Sequence, residues 1–159
     1  MSSGNGFSLD PTLARFLQEG LGIHIGTRNE RLEPNGARAI AVKIDPDGTL
    51  VSVYLAEVAA ARVLPDLQSN GQAAITFGRP IDERACQIKG TFVSVHAASP
   101  EERPFMLAQR DAFLANLELI GVARAGSAAW ITWPALVLRI RPTHVYNQTP
   151  GADASAPIA

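Results

Sequence analysis

Ala85-Cys86-Gln87-Ile88-Lys89-Gly90-Thr91-Phe92-Val93-Ser94-Val95-His96 is the stretch whose reading decides the fold. It is rich in β-branched and aromatic residues and free of proline, the composition of a long β-strand. Gln87, Lys89 and Thr91 fall on one face of that strand, Ile88 and Phe92 on the other. Beyond Phe92 the apolar residues change parity, to Val93 and Val95. Side chains alternate with a period of two, so the change needs an extra residue, and Gly90 is the expected place for a bulge or bend. A strand serving two environments is expected in a small barrel whose sheet curls and pairs with a partner. The polar pair Gln87 and Lys89 beside an apolar set reads either as the edge of a ligand site or as the wet face of an antiparallel strand.

The remaining totals narrow the class. A chain of 159 residues suits one domain with a real core. Apolar residues make up 47% and charged residues 18%, a weakly charged surface that favours burial against a second copy of the chain. A net charge of −1 lacks the electrostatic footprint of a nucleic-acid binder. No run has the length of a membrane span, and the polar start Met1–Gly6 does not read as a signal peptide. The single cysteine, Cys86, excludes an internal disulfide and a cysteine-based zinc site, so a cytoplasmic protein is expected.

Outward from the decisive strand, Asp10-Pro11 is a helix start, with Leu13, Phe16 and Leu17 as its apolar stripe and Gly20 as its stop. Leu21–Thr27 alternates as a strand whose second face, Gly22, His24 and Gly26, accepts close backbone approach. Arg28–Gly36 reads as a charged loop and Arg38–Asp45 as one strand. The turn Asp45-Pro-Asp-Gly48 returns the chain as Leu50–Leu55. Glu57–Leu67 is helical in composition, with Pro65 expected to break or kink it and Asn70-Gly71 closing the segment. Ala73–Phe77 is a short buried strand. Ser99-Pro100-Glu101-Glu102 resembles a capping box, after which Met106, Phe113, Leu117 and Ile120 share a helix face. Trp130–Trp133 and Ala135–Ile140 supply the last strand or strands. Residues 1–9 read as a flexible N-terminus, 10–147 as the domain and 148–159 as a disordered tail. Short antiparallel strands interrupted by helices predict a mainly β protein, a small closed or split β-barrel with helical caps.

Three pieces of the chain resemble the pyridoxamine 5'-phosphate oxidase-like, flavin-binding split barrels. Arg38-Ala-Ile-Ala-Val-Lys43 is similar to that family's Arg-x-Val-Leu-Leu-Lys strand. Leu67–Phe77 is similar to its short helix, Asn-Pro turn and apolar strand. Arg84-Ala-Cys-Gln87-Ile-Lys89-Gly90 is similar to its Arg-Gln-Val-Arg-x-Gly strand. Where the oxidases carry Tyr-Thr-x-x-x-Ser-Arg-Lys, this chain has Tyr54-Leu-Ala-Glu57-Val-Ala-Ala-Ala-Arg62-Val63, which leaves Arg62 as the phosphate ligand. The resemblance implies an FMN-binding oxidoreductase that works as a homodimer with its ligand sites at the dimer interface. It implies cofactor contacts from Arg38, Lys43, Tyr54, Arg62, Gln87 and Lys89, and no protein nucleophile. The alternatives on the same fold are a deazaflavin (F420)-dependent reductase, a haem-binding protein, and a non-catalytic dimeric binding protein that has lost its cofactor.

Read as chemistry alone, these residues keep two meanings each. Arg38 and Lys43 lie on opposite faces of an ideal strand, so they clasp one ligand only if the strand is distorted; otherwise both snorkel at strand ends. Arg62 offers a bidentate fork to phosphate or is an exposed helical arginine. Gln87 can serve the donor and acceptor edge of a flavin ring or be satisfied by backbone. Lys89 either adds charge near a ring or is a solvated strand lysine, and Tyr54, Trp130 and Trp133 are ring walls or core. His24, His96 and His144 lack metal-ligand spacing. The low charged fraction and the two-faced strand predict a homodimer, and sedimentation at micromolar concentration should show the dimer rather than a monomer.

Overall fold

The computed structural model describes residues 6–126 and 129–158. Among them, α1 (Pro11–Leu17) is capped by Asp10, whose side chain accepts from the backbone of Thr12 and Leu13. Then follow β1 (Gly22–Arg28), β2 (Pro34–Ala39), β3 (Ala41–Ile44), β4 (Val51–Ala56) and α2 (Glu57–Asn70). The chain continues with β5 (Gln72–Gly78), β6 (Ala85–Ala97), α3 (Arg103–Leu119) and β7 (Ala135–Asn147). The seven strands form one antiparallel sheet in the order β2-β1-β5-β6-β7-β4-β3. This is the mainly β barrel with helical caps that the sequence predicts.

The two edges of the sheet, β2 and β3, are consecutive in the chain. Up to Ala39 the chain pairs with β1; from Ala41 it pairs with β4, and Ile40 N–H between them donates to Tyr54 O at 2.8 Å. One residue therefore carries the backbone from one edge of the sheet to the other, which curls the sheet round. The single strand expected over Arg38–Asp45 is two strands for this reason. Pro34-Asn35-Gly36, expected as loop, opens β2. A proline is tolerated there because it is the first residue of an edge strand. The hairpin at Asp45–Gly48 forms as read, with Gly48 at φ 71°.

The decisive strand is continuous from Ala85 to Ala97 and contains two irregularities. At the first, Lys89 and Gly90 face His144 and Pro142, so the extra residue is Thr143 on β7. At the second, Phe92 and Ser94 face Ile140 and Arg139, so the extra residue is Val93 on β6. The change of parity thus occurs at Val93, which is pushed outward and is 43% exposed, while Phe92 and Val95 pack on the core. Gly90 serves close approach instead, since a Cβ there would lie 2.5 Å from Arg141 O.

The helices close the barrel's ends. α2 runs through Pro65, because both Pro65 and Ala61, the residue whose carbonyl loses its donor, lie on the solvent side. It ends on Gly71, whose N–H donates to Leu67 O. A 3₁₀ turn at Pro100–Glu102 precedes α3, with Ser99 N–H donating to Glu102 Oε2 at 2.8 Å. Met106, Gln109, Phe113 and Leu114 are the buried face of α3, and Ile120 lies past its end, exposed. Trp130–Trp133 is not strand; β7 runs instead to Asn147. Of the stretches read as flexible ends, 1–5 and 159 lie outside the described residues. Leu9 is buried and its N–H donates to Gly48 O, and Ile158 N–H donates to Val145 O at 2.8 Å. No helix among the described residues is long and apolar enough to cross a membrane.

The free edge of β3 is closed by two glutamines. Gln109 mimics a strand: its Oε1 accepts from Val42 N–H at 3.0 Å and its Nε2 donates to Val42 O at 2.8 Å. Gln18 Oε1 accepts from Ile44 N–H at 3.0 Å. An unpaired strand edge invites association with other chains, and these amides remove it. Gln109→Leu orphans a buried N–H and a buried C=O, so urea denaturation should show a loss of about 2–4 kcal/mol. Gln68→Leu on the exposed side of α2 should change stability by less than about 0.5 kcal/mol.

Candidate functional site

The outer face of β2-β1-β5-β6 follows from simple alternation. Ile23 and Ile25, Ile75 and Phe77, and Cys86 and Ile88 point into the core. Their neighbours Gly22, His24 and Gly26, Ala74, Thr76 and Gly78, and Ala85, Gln87 and Lys89 point out. The register then lines up one polar row across five strands. Arg38 faces His24, His24 faces Thr76, Thr76 faces Gln87 and Gln87 faces Tyr146. Gln87 Nε2 donates to Thr76 Oγ1 at 3.1 Å. The row on one side is Gly36, Gly26 and Ala74, ending at Lys89 on β6; on the other it is Gly22, Gly78 and Ala85. A ridge of polar groups therefore stands on a low floor.

α2 rises at one end of this floor and contributes Arg62. Arg38, Arg62, Gln87, His24 and Thr76 line one open cavity of about 390 Å³. Neither the Arg38 nor the Arg62 side chain has an ion pair or a hydrogen bond among the described residues, so no carboxylate offsets either charge at this cavity. Arg38 also borders a second, apolar cavity of about 250 Å³ between β1, the start of α2 and α3, walled by Ile40, Ala59, Phe113 and Trp130. Its guanidinium lies over the Trp130 ring at 4.2 Å, and Trp130 stacks on Phe113 at 6.1 Å. Arg110, at the same cavity, is held by Asp111 at 2.9 Å. Burial lowers the Arg38 pKa, though an arginine stays charged. Burial, and then the charge of Arg38, push the His24 imidazole below its usual value and favour its neutral form.

Of the six residues read from sequence, Arg38, Arg62 and Gln87 come together. Lys89 is the next outward position on β6, its ammonium 5.1 Å from the Tyr146 ring. Lys43 does not join them: it lies on β3, which the switch at Ile40 sends to the other edge of the sheet, and there it faces Ser52 of β4. Tyr54 is buried elsewhere, its ring edge-on to Phe105 and its hydroxyl donating to Glu102 Oε1 at 2.7 Å. Burial, and then the Glu102 contact, push its pKa up. The sequence reading missed His24 and Thr76. The signal was present in Gly22-His24-Gly26, a lone imidazole between two glycines on an outward face. Burial pushes the Cys86 thiol up to about 12, which fits a small packed hydrophobe. No cluster of three or more metal-ligating side chains occurs among the described residues.

Solved structures share this architecture. A candidate pyridoxamine 5'-phosphate oxidase from Lactobacillus delbrueckii superposes with a TM-score of 0.55 at 12% identity, over 92% of this chain and 99% of that one. A protein described as an F420 reductase gives 0.53 at 15% identity, over 82% and 93%. A pyridoxamine 5'-phosphate oxidase-related, FMN-binding protein from Nostoc punctiforme gives 0.50 at 15%, over 89% and 85%. The chain has the pyridoxamine 5'-phosphate oxidase-like split-barrel fold. No family model matches its sequence, and no curated protein matches it.

Two of the outward glycines, Gly26 and Gly78, are not required by the chain's own packing, whereas a Cβ at Gly22 would lie 3.0 Å from Phe113 Cε2. A Cβ at Gly78 would meet nothing within 4 Å, and one at Gly26 only carbonyl oxygens at 3.8 and 4.0 Å. Glycine in a strand costs about 0.5–1 kcal/mol through backbone entropy. Gly26→Ala and Gly78→Ala should therefore each stabilise the protein by about 0.5–1 kcal/mol in urea denaturation, where Gly90→Ala should destabilise it.

Proposed function

We propose that this chain binds flavin mononucleotide across the Arg38–Arg62–Gln87 groove and serves as a flavin-dependent oxidoreductase, with a second copy completing the site. The observation that carries the reading is the convergence of two unpaired arginines from separate elements beside a side-chain amide and a floor of glycine and alanine. The donor set fits the ligand. A phosphate carrying close to two negative charges suits two guanidinium forks. The amide of Gln87 offers both a donor and an acceptor to a ring edge of mixed polarity. The low floor admits a planar ring against the backbone, and Phe113 and Trp130 supply an apolar wall beside Arg38. The flavin, when bound, supplies the two-electron chemistry. The chain's own residues do the rest: Arg38 and Arg62 hold the phosphate, Gln87 orients the ring, and the apolar wall excludes water.

The chain carries Ala59, Ala60 and Ala61 along the start of α2, so Arg62 is the phosphate ligand from that helix. Binding in the micromolar range is the expected result. Removing either guanidinium, as Arg38→Gln or Arg62→Gln, should weaken FMN by about 1–3 kcal/mol, roughly 5- to 150-fold, with little change in the melting temperature of the ligand-free protein. Gly26→Ala should also weaken it, by crowding the floor. Fluorescence titration decides the matter: equal affinity in all these proteins, or no FMN binding at all, removes the assignment.

A further inference from the structure

We propose that His24 is a third member of the anion site, taking up a proton when a phosphate-bearing ligand engages Arg38 and Arg62, so that binding is coupled to pH. The inference rests on the anion-binding half of the proposed function and not on the identity of the ring. Its basis is position. His24 stands between Arg38 and Thr76 in the polar row and lines the cavity that Arg38 and Arg62 share. Its strand neighbours on that face are Gly22 and Gly26, so no side chain of its own strand stands beside the imidazole, and it makes no side-chain hydrogen bond among the described residues.

The charges around it decide the direction. From β2 and α2 come Arg38 and Arg62, both unpaired. From β6, Gln87 is neutral and Lys89 lies one row away. On the opposite side His24 borders a second cavity with Arg79 and Glu83. Arg79 is already tied to Asp82 at 2.6 Å and Glu19 at 2.9 Å, whereas Glu83 has no ion pair among the described residues. In the free protein burial, and after it the field of Arg38, disfavours the imidazolium. A phosphate on the two arginines cancels that field and adds negative charge of its own. The proton affinity of His24 then rises on binding.

By linkage, a group that gains a proton on binding strengthens binding as pH falls. The effect is absent above the bound-state pKa of His24. It grows through the window between the bound and free values and saturates below the free one. Because the phosphate takes a proton of its own near pH 6, the coupling is read as the ratio of affinities of wild type and His24→Gln. His24 is on the surface of the groove, so the substitution leaves the core intact.

The experiment follows the His24 Cε1–H resonance of the whole chain by NMR, assigned by its loss in His24→Gln. It is titrated with pH alone, with saturating FMN, with inorganic phosphate and with riboflavin. FMN and phosphate should each raise the His24 midpoint by about one pH unit, and riboflavin, which lacks the phosphate, should not. The wild-type to His24→Gln ratio of FMN affinities should rise about tenfold from about pH 8 to about pH 5. A midpoint unmoved by both FMN and phosphate, or a ratio flat with pH, overturns the inference. If FMN binds through Arg38 and Arg62 with the midpoint unmoved, the flavin reading stands and the role of His24 falls. If FMN does not bind but phosphate moves the midpoint, the flavin reading falls and His24 keeps its place.

Discussion

In the middle of β6 the backbone of β7 comes so close that no side chain fits between them. A Cβ on Gly90 would stand 2.5 Å from Arg141 O and 2.7 Å from Ile140 Cγ2. That approach sits between the two irregularities of the β6–β7 ladder, one with its extra residue on β7 and one with its extra residue on β6. Bulges bend a strand and increase its twist, and two of them within a few residues let a single strand bridge both halves of a curled sheet. The N-terminal part of β6 lies between β5 and β7 and presents Gln87 to the groove. The C-terminal part, past Val93, pairs with β7 alone and leads to Ala98, Met106 and Tyr54 in the second apolar cluster. Without the bend, Gln87 and the second cluster could not be served by one strand. The groove and the α3 cap are two ends of the same distortion.

Features fixed by neighbours in sequence were legible from it. The Asp10 cap, the Asp45–Gly48 turn and the Gly71 helix stop are local, and each formed where its residues stand. The need for an irregularity in β6 was legible too, because parity is a property of the strand itself. Which residue is the extra one was not, because that depends on the register of β7. The partner switch at Ile40 was hidden for a similar reason: the apolar alternation of Ile40, Val42 and Ile44 runs on without a break in the sequence, whereas in the fold the residues facing the main core change from Ala37 and Ala39 to Val42 and Ile44 as the pairing changes. Pro34 and Pro65 misled in the opposite sense. Both are breakers by local rules, and both sit where the missing N–H has no buried carbonyl to disappoint.

The same division runs through the site. Arg38, Arg62 and Gln87 are scattered over three elements, and only the resemblance to known strands linked them before the fold did. Lys43 was tied to Arg38 by the same resemblance, and the switch at Ile40 puts the two on opposite edges of the sheet. His24 escaped because a single histidine carries no spacing. Its meaning comes from the row it completes, and that row exists only in the register of four ladders.

Two kinds of glycine in this sheet show where the constraint comes from. Gly90 answers to the protein's own packing, since the neighbouring strand occupies the space of its Cβ. Gly26 and Gly78 answer to nothing inside the chain, since their Cβ positions are open. Strand glycines with open space lower stability without any internal return. Beside them stand Arg38 and Arg62, two like charges with no carboxylate partner among the described residues, in a chain whose overall charge is −1. Enough carboxylates exist to pair them: Arg79, Arg110 and Arg139 all have one. Both departures from a stability optimum are confined to one face, and the proposed ligand, flat and negatively charged, would relieve both. A bare second copy of the chain would cover the glycines but would bring its own Arg38 and Arg62 rather than a counter-charge. On charge alone, this face lacks an anion rather than a second copy of itself.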